Sequence, residues 1–248
     1  MLLKCVFIVL IKPVSTCLTI VTMACANVHG TEYYGQMIEL VKSIDESCTD
    51  CANIIVFTDN LTTIQTQFLP IRNVVIKNPQ GTKRFSCNTV KTQLPHLLAA
   101  MQDVYSNVLW IDADSRVSPY ANLDHLTGLM NNRQKICFVE ESTNSYKNNW
   151  YRLGLSGSTY VKPNGINSGV FLVNMDRWNK TYIPYTQREL GDQDIFNEYF
   201  ANRMDELCFL PHRYNYRGSA VSGRISDVQI HHGNGGMWKK PSFFSRAT

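Results

Sequence analysis

Apolar positions along this chain fall in short, nearly unbroken runs separated by stretches with helical spacing. Cys17-Leu-Thr-Ile-Val-Thr-Met-Ala-Cys25 and Asn53-Ile-Ile-Val-Phe-Thr-Asp59 have strand length and little polar alternation, the pattern of strands buried on both faces. Between them, residues 32–46 place Tyr33, Met37, Leu40, Val41 and Ile44 three or four apart, which predicts an amphipathic helix. A strand–helix–strand order predicts parallel pairing through a right-handed crossover. Val74-Val75-Ile76 reads as a third strand. Residues 87–105 read as a helix with Val90, Leu94, Leu97, Leu98 and Met101 inward, bent at Pro95. Residues 107–111 form the next strand. Later strands are predicted at 136–139, 170–173 and 228–230, and a helix at 192–203 with Ile195, Phe196, Tyr199 and Phe200 inward. Residues 142–165, rich in Ser, Asn, Gly, Tyr and Trp, read as a loop. The alternation predicts a single α/β domain with a Rossmann-like sheet flanked by helices.

With 248 residues, 44% hydrophobic and 18% charged, the chain is long enough for one large core. The net charge is +4 and no Lys/Arg run exceeds two residues, so nothing points to a nucleic-acid partner. Residues 1–16 stand apart. Leu2 to Ile11 form an apolar run, stopped by Lys12-Pro13, too short to span a bilayer. The run reads as a signal segment, a truncated anchor or a further strand. Membrane association is expected through this N-terminus alone. Among the eight cysteines, Cys48-Thr-Asp-Cys51 is a lone C-x-x-C, while Cys87, Cys137 and Cys208 stand alone in sequence. A structural zinc site would need a second pair. Asn60-Leu-Thr62 and Asn179-Lys-Thr181 are glycosylation sequons, a weak pointer to a secretory route.

Candidate chemistry gathers where strands end. The run Val108-Leu-Trp-Ile-Asp-Ala-Asp114 closes on two carboxylates flanking Ala113. Residues i and i+2 of a strand share a face, so Asp112 and Asp114 are expected to hold one divalent cation, Mg²⁺ or Mn²⁺. Ligands of open α/β sheets bind beyond the carboxyl ends of the strands. On its own an Asp-x-Asp is ordinary on a solvated loop. Three further elements accompany it. Asn167-Ser168-Gly169 reads as a small turn entering the 170–173 strand. Gly191-Asp192-Gln193-Asp194 opens the last helix, where acidic residues also serve as caps. His231-His232-Gly-Asn-Gly235-Gly-Met-Trp-Lys239 follows the 228–230 strand and offers imidazole, exposed backbone amides and a lysine.

The order and spacing of these four elements resemble glycosyltransferase family 8, most closely its glucoside xylosyltransferases. The stretches Phe85–Asp114, Gly165–Met175, Leu210-Pro-His-Arg-Tyr-Asn-Tyr-Arg217 and His232-Gly-Asn-Gly-Gly236 carry the resemblance. It extends over residues 17–245, within a domain taken as 17–248. It implies a GT-A fold with a mixed sheet, Mn²⁺ (or Mg²⁺) held by Asp112, Asp114 and His232, and a UDP-sugar donor. Lys91, Asp112, Ala113, Asp114, Asn167, Ser168, Gly169, Gly235 and Lys239 would line the donor. Asp192 and Gln193 would be catalytic. One departure stands out. Trp238 occupies the position where many family members carry a phosphate-binding lysine, and Lys239 follows it. The implied reaction moves a sugar, xylose by best resemblance, onto a glycan or glycoprotein hydroxyl, with retention, in the Golgi or ER lumen. UDP-glucose, UDP-galactose and UDP-glucuronate stay open as donors. The rivals are a catalytically silent binder on the same fold and a metal-dependent nucleotidyltransferase.

Overall fold

The computed structural model describes residues 18–25, 32–47, 52–61, 74–77, 89–100, 105–141, 165–178, 183, 191–217 and 227–233. Within them, β1 (Leu18–Ala24), α1 (Glu32–Ser47), β2 (Ala52–Thr58), β3 (Val74–Lys77), α2 (Leu94–Ala100) and β4 (Asn107–Ile111) follow the expected alternation. A short β5 (Ser115–Val117) leads to β6 (Ile136–Glu140), β7 (Ile166–Asn174), α3 (Met175–Trp178), α4 (Asp192–Phe200), β8 (Leu207–Leu210) and β9 (Ile230–His232). Seven strands make one sheet in the order β3-β2-β1-β4-β7-β6-β8, and β5 pairs with β9 in a two-stranded ribbon. The pairs β1–β2, β1–β4 and β2–β3 are parallel, as the crossover rule requires. β7 runs antiparallel to both β4 and β6.

Burial on both faces explains the continuous apolar runs. Leu18, Ile20, Ile54, Val56, Leu109 and Ile111 point to one side, where Met37, Leu40, Val41 and Ile44 of α1 cover them. Val21, Met23, Ile55, Phe57, Val108 and Trp110 point to the other, against Leu94, Leu97 and Leu98 of α2 and Ile195, Phe196 and Phe200 of α4. Aromatic packing anchors α4 to the sheet. Phe138 meets Phe171 at 5.3 Å and Phe196 at 5.1 Å between ring centroids, and Trp110 stacks on Phe171 at 5.8 Å.

The structure corrects several local expectations. The helix predicted over 87–105 begins only at Leu94. Pro95 sits in its first turn, where a missing N–H costs nothing and the fixed φ suits the helix, so proline starts this helix rather than bending it. Asn167-Ser168-Gly169 is not a turn before the strand but part of β7. The β6–β7 register jumps there, from Phe138↔Phe171 to Val139↔Asn167. On the other side β7 keeps its pairing with β4 through Ile111↔Val170. The histidines likewise lie within β9 rather than after a 228–230 strand. Cys137 and Cys208, solitary in sequence, are register partners on β6 and β8 and form a disulfide. The pair Cys48 and Cys51 and the threonines completing both sequons lie outside the described residues, as do residues 1–16 and 142–164. Among the described residues no helix is long and apolar enough to cross a membrane.

Phe138 is fully buried at the centre of the aromatic cluster. Phe138→Ala is expected to cost about 3–5 kcal/mol of stability by urea denaturation. A loss below about 1 kcal/mol would show that the cluster does not anchor α4.

Candidate active site

The chain leaves β4 at Ile111 and turns at once. The Ser115 N–H donates to the Asp112 carbonyl at 3.0 Å, closing Asp112-Ala113-Asp114 into a turn that feeds β5. The two carboxylates therefore converge through a turn, not through strand alternation as the sequence suggested. Ala113 is buried beneath them. β5 pairs with β9 in the register Ser115↔His232, which carries the His232 ring to the carboxylates. Its Nε2 lies 3.3 Å from Asp114 Oδ1 and 3.8 Å from Asp112 Oδ2. One ligand atom from each of the three residues falls within 4.8 Å of the others. Two hard oxygens and one imidazole nitrogen, gathered this closely, form a donor set suited to a divalent cation such as Mn²⁺. The sequence reading put His232, not His231, beside the carboxylates, and its ring lies there. His231 faces away, edge-on to Tyr216 at 5.7 Å. Burial and the nearby Arg116 charge hold it neutral, its pKa pushed down to about 4.

Lys91 lies at the centre of the site. Its Nζ is 2.7 Å from Asp112 Oδ1, 2.8 Å from Asp192 Oδ2 and 5.6 Å from the centre of the Trp110 ring. Burial pushes its pKa down, but the two carboxylates outweigh this and raise it. Burial raises Asp192, yet the Lys91 ion pair prevails and holds it below the ordinary carboxylate range. Asp114 is lowered in the same way, with His232 overcoming burial. At Asp112 burial prevails over Lys91 and the pKa rises. The N-cap of α4 is Gly191, with no side-chain capping bond. Asp192 instead accepts from Ser168 Oγ at 2.8 Å and pairs with Lys91, so its carboxylate serves the site rather than the helix end.

A hydrogen-bonded chain runs from His232 to Gln193, the glutamine of the D-Q-D segment. Asn215 Nδ2 donates to Asn167 Oδ1 at 2.7 Å, leaving Asn215 Oδ1 to accept from His232 Nδ1–H at 2.6 Å. With Nδ1 protonated, Nε2 presents its lone pair to the carboxylates, the tautomer a metal ligand needs. Asn167 Oδ1 also accepts from the Gly169 N–H at 2.9 Å, and Asn167 Nδ2 donates to Glu141 Oε2 at 2.8 Å. The same oxygen accepts from Gln193 Nε2 at 3.0 Å. Arg217 lies 3.3 Å from Glu141 Oε1.

Comparison with known proteins now bears on the site. The model of the family described as "Glycosyl transferase family 8" matches residues 31–234, most of the chain. The chain belongs to glycosyl transferase family 8. Its fold is that of the GT-A transferases. Mouse xyloside xylosyltransferase 1, in apo form, superposes with a TM-score of 0.64 at 13% identity, over 88% of this chain and 97% of that one. The galactosyltransferase LgtC, in complex with donor and acceptor sugar analogs, gives 0.61 at 18% identity, over 87% and 86%. The glycosyltransferase GlyE of Streptococcus pneumoniae TIGR4 gives 0.58 at 18% identity, over 86% and 53%. No curated protein sequence matches the chain.

In this family 8 chain the structure brings together Lys91, Asp112, Ala113, Asp114, Asn167, Ser168, Gly169, Asp192, Gln193 and His232. Gly235 and Lys239 lie outside the described residues. Each member of Asn167-Ser168-Gly169 has its own reason to be there. Asn167 joins the hydrogen-bonded chain and Ser168 binds Asp192. A Cβ on Gly169 would lie 2.0 Å from His232 Cε1, so glycine is required by contact with the ring. Sequence reasoning missed Glu141, Asn215, Arg217 and Tyr33. Burial first, then the Asp114 and Asp112 charges, raise the Tyr33 pKa. The signal for Asn215 and Arg217 was present in the Leu210–Arg217 stretch, but nothing in that stretch assigned a role.

Gly169→Ala must displace the His232 ring. It should weaken Mn²⁺ binding by about 10–100-fold in calorimetry, with unfolding still cooperative. Unchanged affinity would remove His232 from the ligand set.

Proposed function

We propose that this protein transfers a sugar, with xylose the first choice, from a UDP donor to a hydroxyl of a glycan or glycoprotein, retaining configuration at the anomeric carbon. The convergence of Asp112, Asp114 and His232 beside the Lys91–Asp192 pair carries this reading. Among the described residues, three carboxylates against one ammonium leave two negative charges, a balance that a divalent cation completes. When bound, that cation neutralises charge developing on the departing diphosphate. Asp112, Asp114 and the Nε2 of His232 hold it, and Asn215 fixes the imidazole. Lys91 pairs with both Asp112 and Asp192 and keeps Asp192 ionised. Asp192, placed at the start of α4, stabilises positive charge growing at the anomeric carbon. Its ion pair with Lys91 and bond to Ser168 lower its nucleophilicity, which supports same-face attack over a covalent intermediate. In that route the acceptor oxygen bonds to the anomeric carbon as the carbon–phosphate oxygen bond breaks. The acceptor proton passes to the departing phosphate.

The xylose assignment rests on the sequence likeness to glucoside xylosyltransferases and on the fold shared with a xyloside xylosyltransferase. We place the protein in the secretory pathway, Golgi or ER lumen. The Cys137–Cys208 disulfide supports an oxidising compartment, and the two sequons agree with it. Any membrane association would come through the N-terminus.

UDP release should be measured from UDP-xylose, UDP-glucose, UDP-galactose and UDP-glucuronate, with Mn²⁺ or with EDTA. The expected result is metal-dependent release, strongest from UDP-xylose. Equal release in EDTA would contradict the metal role, and a preference for another sugar would correct the donor. No release from any of them, with glucoside acceptors also supplied, would point to a silent binder. Asp114→Asn should lower turnover about 100-fold or more with little change in Tm. Asp192→Ala should reduce kcat far more than UDP affinity. Equal loss of both would make Asp192 a structural residue.

A further inference from the structure

Glu141 is a buried carboxylate directly after β6, 3% exposed, and it stands outside the Asp112–Asp114–His232 cluster. Burial of a carboxylate is costly unless the charge is paired and its oxygens accept hydrogen bonds. Here both conditions hold. Arg217 supplies the counter-charge at 3.3 Å, and Asn167 Nδ2 and Gln193 Nε2 donate to one oxygen at 2.8 and 3.0 Å. Both donors are side-chain amides, groups that can rotate by half a turn and exchange N–H for C=O. An acceptor-only partner removes that freedom. Because Gln193 gives its NH₂ to Glu141, its Oε1 is turned toward the Ser168 N–H, 3.4 Å away, on the side where Ser168 meets Asp192.

We propose that Glu141, held by Arg217, is a positioning residue. It locks the Gln193 amide so that oxygen, not nitrogen, faces the sugar, while Asn167, whose Oδ1 is held independently by the Gly169 N–H, keeps its own orientation and with it the His232 tautomer. This inference rests on the transferase reading of the site. It also gives the Leu210–Arg217 stretch a task. Asn215 and Arg217 flank Tyr216, which is bridged to His231. These alternate residues serve the two ends of the brace, Asn215 at His232 and Arg217 at the carboxylate. A carbonyl oxygen facing the anomeric carbon stabilises positive charge there, whereas an NH₂ would oppose it.

The test is Glu141→Gln, which keeps the volume but loses the charge and the acceptor-only character. Donor turnover should fall by about 10–100-fold in kcat, the range for a misoriented reacting group. The KM for donor and the affinity for UDP with Mn²⁺ should stay within about twofold. Arg217→Lys should restore more of the kcat lost in Arg217→Met than of any loss in Tm. A purely structural role predicts instead that kcat and UDP affinity fall together with Tm. That result, or an unchanged kcat, overturns the proposal. A second readout needs no turnover. The Gln193 side-chain amide resonance in a ¹⁵N–¹H spectrum, assigned by its loss in Gln193→Glu, should be slow to exchange with solvent and should lose that protection in Glu141→Gln. Unchanged exchange also overturns the proposal. If wild type turns over no donor yet the protection is lost as expected, the brace stands and the transferase reading is what fails.

Discussion

Among the described residues, three carboxylates gather beyond the end of β4 around one ammonium group, that of Lys91, and the geometry of the site follows from how that charge is held. Like charges this close cannot all stay ionised in a partly buried pocket without compensation. Lys91 supplies part of it by pairing with both Asp112 and Asp192. The Nε2 of His232 stands on the other side, 3.3 Å from Asp114 Oδ1 and 3.8 Å from Asp112 Oδ2. Burial raises the Asp112 pKa, whereas Lys91 and His232 outweigh burial at Asp192 and Asp114 respectively and lower theirs. The sheet, with α1 on one face and α2 and α4 on the other, fixes the elements between which these charges meet.

The core is apolar, and its placement has a consequence for the chemistry. Trp110 stacks on Phe171 within the cluster that holds α4, and its indole N–H donates to Asp112 Oδ1 at 2.7 Å. The residue that packs the strand therefore also aims the carboxylate that follows it. The register jump between β6 and β7 works similarly. It keeps β7 hydrogen-bonded to β4, where the Asp112 N–H donates to the Gly169 carbonyl at 2.8 Å. It also frees β7 from regular pairing with β6 at Ser168 and Gly169, which then meet Asp192 and the His232 ring.

Much of this was legible in the sequence, and the misses have physical causes. Apolar runs of strand length marked β1, β2 and β4 because those strands are covered on both faces. The helical stripe marked α1 because only one face of it is buried. Pro95 misled because a proline inside a periodic segment fits two geometries, a bend or a first turn, and periodicity does not separate them. Asn167-Ser168-Gly169 has turn composition, yet long-range pairing with β4 made it strand, a tertiary effect that local propensity does not carry. Motif order pointed to the carboxylate pair, the D-Q-D helix start and His232, which the fold brings together. Glu141 was not among them, because a glutamate at a strand end is ordinary in sequence. Only the fold brings Asn167, Gln193 and Arg217, from three separate segments, onto its two oxygens.

We propose that Asp112, Asp114 and His232 close on one cation that also touches the donor diphosphate. Electron spin-echo envelope modulation of the Mn²⁺ complex with UDP tests it most directly. The account predicts modulation from one imidazole ¹⁴N together with ³¹P coupling from the nucleotide, and loss of the nitrogen signal in His232→Gln with phosphorus coupling retained. A spectrum with phosphorus coupling but no nitrogen in wild type, or with the nitrogen unchanged in His232→Gln, would contradict it.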